Sequence, residues 1–178
     1  MPTKEQLQNR KDLVREVRLL RGKKLVFGHE GYVQAPAAPG EPCVVCLLGS
    51  LITASMNRDN KYEEFIEAPW HAIQARFVPD SGEARGWTHQ ALVELCGLTR
   101  LQAYTLEAVY ESTANTMQAH MLLDEDIEAV RKLVSRFEDE TNLYDGTDDQ
   151  TAEFILGVLE ASADHPEGAL VWFKGEWA

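Results

Sequence analysis

The chain of 178 residues is long enough for one domain with a substantial core and short for two independent ones. Hydrophobic residues make up 44% and charged residues 26%, which excludes wholesale disorder, and the longest apolar run, Val44 to Leu48, falls far short of the roughly 20 residues a membrane span requires. A net charge of −12 speaks against direct association with nucleic acid and for a soluble, cytoplasmic protein whose partner is basic.

Thr3-x-x-Gln6 has the form of a capping box, and Leu7, Val14, Val17 and Leu20 follow at helical spacing, so a helix is predicted over 3–21, ending at Gly22. This helix is basic. Residues 1–24 hold eight Lys/Arg against three carboxylates, a net +5, so residues 25–178 carry −17. It either touches an anionic surface or folds back onto the chain's own acidic face. Next, Lys24–Phe27 and Tyr32–Gln34 flank Gly28-His-Glu-Gly31 and predict a small β-hairpin over 24–34. Three prolines make 35–42 a loop, and the nearly all-apolar stretch beyond it predicts a buried core helix over 43–56.

From Lys61 to Phe77 the residues Phe65, Ile66, Trp70, Ile73 and Phe77 form a stripe that Pro69 must kink or restart, and a polar loop follows over 79–86. Thr88 is placed to cap a helix that Gly97 ends, and Thr99-x-x-Gln102 opens another, giving a helix-turn-helix-like unit over 88–110. Further helices are expected over 124–137 and about 149–161, with a strand at 169–173. Residues 137–178 are an acidic C-terminal part, in which only Lys174 opposes eleven carboxylates. The fold class is therefore mainly α: a single compact helical domain over 1–178 with a small β-hairpin (α+β).

Chemistry is sparse along the chain. Cys43 and Cys46 are half of a tetrahedral zinc site, but the second half would need Cys96 and one of His29, His71, His89, His120 or His165 to converge. A cysteine nucleophile at a helix N-terminus, with Cys43 better placed than Cys46 and His71 or His29 as base, lacks an orienting third residue. Neither a phosphate-binding glycine loop nor a hydrolase elbow nor a zincin motif is present, so no catalytic residue, metal or cofactor is expected. In the helix-turn-helix-like unit Arg100, Gln102 and Thr105 are the candidate DNA-reading residues, with no lysine nearby to neutralise phosphate.

Val45-Cys-Leu-Leu-Gly-Ser-Leu51, after a helix and a short hairpin, resembles the Cys-x-x-Gly-Ala-Leu segment of small helical proteins of actinobacteria and their phages, with Cys46, Gly49 and Leu51 at the matching positions. Cys96-Gly-Leu-Thr-Arg-Leu-Gln-Ala-Tyr104 is similar to a Gly-Leu-Thr-x-x-Gln-Ala-Tyr stretch in some of them, and the likeness departs at Tyr110-Glu-Ser112, where their pattern has an Asn-Asp pair. The resemblance implies a helical, phage-related protein of unassigned activity, and gives Cys46 a packing role beside Gly49.

These readings lead to one functional expectation: a non-catalytic protein-binding module that engages or inhibits a basic host protein by imitating phosphate charge, with Glu138, Asp139, Asp148 and Asp149 as binding residues. The alternatives are a helix-turn-helix DNA-binding regulator and a cysteine- or zinc-dependent enzyme.

Overall fold

A computed structural model describes residues 2–29, 31–77, 87–111 and 148–164. The expected helix over 124–137, the strand at 169–173, the loop over 79–86 and the residues Glu138 and Asp139 lie outside them. Within them the chain is mainly helical, with one small three-stranded sheet.

Helix α1, Lys4–Leu20, begins with the expected capping box: the Gln6 N–H donates to Thr3 Oγ1 at 3.1 Å and the Thr3 N–H to Gln6 Oε1 at 2.9 Å. Its inward face is Arg10, Leu13, Val14, Val17 and Leu20, a spacing of three and four that winds one side of the helix onto the core.

Three strands follow: β1, Leu25–Phe27; β2, Val33–Gln34; and β3, Cys43–Val45. The sheet order is β1-β3-β2, with β3 parallel to β1 (Leu25 opposite Cys43) and antiparallel to β2 (Val33 opposite Val45). The expected hairpin over 24–34 therefore does not form. Its two strands are the two edges, and Cys43–Val45, the most apolar of the three, takes the centre, where both of its edges are hydrogen-bonded. The expected core helix over 43–56 is corrected by the same fact. Its first three residues are strand, Cys46 is the N-cap, and helix α2 runs Leu47–Arg58. An apolar run buried on all sides fits either element, and Pro42 with β-branched Val44 and Val45 decides for a strand.

Every residue of α2 from Leu47 to Met56 is buried. Each such leucine contributes about 1.5–3 kcal/mol on leaving water, so α2 is the centre of the core. Its buried hydroxyls turn inward: Ser50 Oγ donates to the Leu47 carbonyl and Thr53 Oγ1 to the Gly49 carbonyl.

Pro69 restarts the helix, as expected. Helix α3, Tyr62–Glu67, stops at Ala68 (φ −149°, ψ 73°), and α4, Pro69–Phe77, begins on the proline, whose missing N–H is not needed there. Tyr62, Phe65, Ile73 and Phe77 are buried, whereas Trp70, expected on the same stripe, is 39% exposed. Helix α5, Trp87–Cys96, starts one residue before Thr88, which is thus in the first turn and not the cap. Gly97 ends it in the left-handed region (φ +64°), and the Thr99–Gln102 capping box opens α6, Arg100–Glu111. Helix α7, Asp148–Ser162, lies against α1 and α6. One continuous set of buried side chains draws on all of these helices and the sheet.

Candidate functional site

Three places in the described residues concentrate polar chemistry. The first is buried between α5, α6 and the start of β2. Tyr32 Oη donates to Glu107 Oε1 at 2.6 Å, and His89 Nε2 lies 2.5 Å from Glu107 Oε2. The imidazole is stacked on Tyr104 (centroids 3.8 Å apart, planes at 14°), and Tyr32 meets His89 and Trp70 edge-on. Burial, reinforced by the Glu107 charge, pushes the Tyr32 phenol well above its ordinary range. With Glu107 as carboxylate, Nε2–H is the donor, and the His89 Nδ1 atom has no hydrogen-bond partner among the described residues.

An imidazole oriented by a carboxylate is half of an acid–base apparatus. Here the imidazole is 1% exposed and enclosed by aromatic rings, so it locks two helices to the sheet. The sequence held one signal of it. Glu107 is the only acid between Arg100 and Tyr110, in a run otherwise apolar enough to be buried on most sides, and an acid in such a place needs partners.

The thiols form the second group, and they are separated in role. Cys43 lies in β3, with its thiol donating to the Lys24 carbonyl at 3.2 Å, and Cys46 caps α2 by accepting from the Gly49 N–H at 3.4 Å. It is thus Cys46, not Cys43, that sits at the helix N-terminus. Cys96 ends α5, where burial pushes its thiol up to about 12 despite the cations of Arg10 and Arg58. Burial likewise raises Cys43. All three are buried thiols outside any disulfide among the described residues, where no three of His, Cys, Asp and Glu converge in a way that could hold a metal ion.

The third place is the basic face of α1. Gln6, Asn9 and Arg10, spaced three and four apart, all donate into the C-terminal turn of α5: Gln6 Nε2 to the Glu94 carbonyl at 3.0 Å, Asn9 Nδ2 to Leu95 at 2.9 Å, and Arg10 Nε to Cys96 at 2.8 Å. Arg10 also reaches the Gly97 carbonyl and Ser162 Oγ, and burial lowers its pKa. From the next residue onward, Lys11 pairs with Asp164 at 2.6 Å, Arg18 with Glu153 and Glu160 at 2.8 and 3.0 Å, and Arg21 with Glu153 at 3.0 Å. Burial pulls the Arg18 pKa down, and the hydrogen bonds and charges of the two glutamates more than reverse this, leaving it raised. The basic helix therefore folds back onto the chain's own acidic helix.

The sequence-derived binding residues fall as follows. Asp148 and Asp149 open α7; Asp148 is half-buried and hydrogen-bonded by His29, and Asp149 is exposed. Arg100 is exposed at the start of α6, but Gln102 and Thr105 are buried, with the Gln102 amide held in the capping box. From Gln102 to Tyr110 only Glu107 escapes full burial, so α6 is a core helix and the expected DNA-facing side is packed inside. Comparison with protein families, with curated proteins and with solved structures finds no match to this chain.

Proposed function

We propose that this chain is a non-catalytic binding module that engages a basic, nucleic-acid-handling protein by presenting carboxylates where that protein meets phosphate. The observation that supports this reading is the internal use of the chain's concentrated positive charge. Lys11 is held on Asp164 just past α7, Arg18 and Arg21 are held on α7 carboxylates, and Arg10 is enclosed, so these four cations are engaged within the chain. A net −12 is left to face a partner, with Glu138, Asp139, Asp148 and Asp149 as its expected contacts. The likeness to small proteins of actinobacteria and their phages makes a host protein the natural target, and inhibition the natural consequence.

The test is affinity capture from an actinobacterial lysate with and without nuclease, followed by binding of the purified captured protein. One basic protein retained in both conditions, and released when Glu138, Asp139, Asp148 and Asp149 are changed to lysine, is the expected result. Capture that disappears with nuclease would overturn it and favour direct DNA binding.

A further inference from the structure

A groove of about 640 Å³ lies beside the sheet, away from the His89–Glu107 pair and from α7. Its floor holds the buried Tyr62 ring and the half-buried Ile66. The Lys24 ammonium is fixed in place, 4.6 Å above the Tyr62 ring and donating to Asn57 Oδ1 at 3.0 Å. One wall is the 35–41 stretch of the proline loop, and the other is α3. Pro36 and Pro39 fix their own φ, which lowers the ordering cost of that wall. Three exposed glutamates stand on the lining, Glu41 from the loop and Glu63 and Glu67 from successive turns of α3. Each of the three lacks an ion pair among the described residues, whereas Glu153, Glu160 and Asp164 are matched by α1.

We propose that this groove takes an extended segment of the basic partner, with a Lys or Arg stem lying along Tyr62 and Ile66 and its charged head between Glu41, Glu63 and Glu67. The inference rests on the acidic-binding reading above and adds a second place of contact to the carboxylates named there. The size is that of pockets that accept a drug-sized ligand or a short stretch of chain. An apolar floor with carboxylates around it suits a long cationic side chain, whose methylene stem and charged head need different surroundings. The lining carries three carboxylates against two lysines, and of these Lys24 is turned to Tyr62 and Asn57.

A fluorescein-labelled hexapeptide carrying three Lys or Arg residues, titrated at low salt and followed by anisotropy, tests this. Two sets of isosteric changes are compared, each verified as folded by its thermal melt. Glu41→Gln, Glu63→Gln and Glu67→Gln together should weaken binding about tenfold, the combined effect of three exposed charge contacts, while Glu5→Gln, Glu64→Gln and Glu94→Gln together, exposed carboxylates outside the groove lining, should change it less than twofold. Equal losses in both sets, or loss in the second set alone, would overturn the groove while leaving the acidic-surface reading intact. No binding to the wild-type chain would overturn the groove as well, and lysate capture then judges the broader reading separately. Spermine binding as tightly as the peptide, with the same dependence on the three glutamates, would replace a protein segment by a small polyamine and overturn the proposal.

Discussion

A Cβ placed on Gly49 would stand 1.7 Å from the carbonyl oxygen of Tyr32 and 2.7 Å from its carbonyl carbon. Backbone meets backbone at this point: the chain entering β2 lies directly on the first turn of α2, and the Cys46 N–H donates to the same carbonyl at 3.2 Å. Neither side can yield as a side-chain tip could. Gly49→Ala should therefore cost at least the roughly 1–3 kcal/mol of an overpacked core, read as a lower midpoint in urea. Gly157→Ala in α7, where nothing lies within 4 Å of the new methyl, should instead gain about 0.5–1 kcal/mol. A neutral Gly49→Ala would contradict the close approach.

Arg10 is 1% exposed and carries three hydrogen bonds that join α1 to the end of α5 and to α7. Arg10→Met keeps much of the stem and leaves the Cys96 and Gly97 carbonyls without this donor. The expected loss is about 2–6 kcal/mol, at one to three for each orphaned acceptor. Arg15→Met, on the exposed side of the same helix, should stay within about 0.5 kcal/mol.

Glu107 accepts from both Tyr32 and His89. Glu107→Ala should cost about 3 kcal/mol, since two buried polar groups lose their partner at once, and Glu107→Gln distinctly less. If the cluster works as one unit, Tyr32→Phe combined with Glu107→Gln will cost less than the two changes summed, by roughly 0.5–3 kcal/mol of coupling in denaturant titrations.

The α1–α7 ion pairs are about a third exposed and are therefore partly screened by water. Arg18→Glu should lose roughly 1 kcal/mol, and adding Glu160→Arg should restore part of it at low salt. The restoration should fade in 1 M NaCl, where the Debye length is about 3 Å.

Alkali should destabilise the fold in a defined window. Cys96 is pushed up to about 12 from 9.0 and Tyr62 to about 12 from 10.0, in both cases mainly because burial disfavours the charged form. The folded state thus holds protons that the unfolded state releases. Their contribution is complete below pH 9 and is lost as the pH rises from about 9 to about 12. Urea midpoints measured across that range should fall, and Cys96→Ala should flatten the decline. Unchanged midpoints up to pH 11 would contradict the burial of these two groups.

Much of the helical architecture could be read from local chemistry. The Thr3–Gln6 and Thr99–Gln102 capping boxes, Gly97 and Pro69 each fix a boundary through the chain's own backbone, and the structure has helix boundaries at all four. The failures are non-local. Nothing within 24–34 says that Cys43–Val45 will insert between its strands, because pairing is decided by the partner available and not by the turn between. Arg10 falls at the position before Leu13 on the apolar face of α1, which hinted at its burial, but its acceptors lie 86 and 152 residues away. Gln102 and Thr105 were misplaced because a helix enclosed on nearly every side has no periodicity from which to choose an outward face.

Those separations also set an order of events during synthesis. The polar face of α1 finds its partners on residues made 86 to 153 positions later, at the end of α5 and on and just past α7. Its apolar stripe can pack on α2, which is made much sooner, while loop closure over the longer separations must precede any reward from these polar contacts. The polar face of α1 is thus among the last parts of the fold to be fixed, and a nascent chain truncated before α7 would display the unpaired cations of Lys11, Arg18 and Arg21 to whatever chaperone stands at the exit.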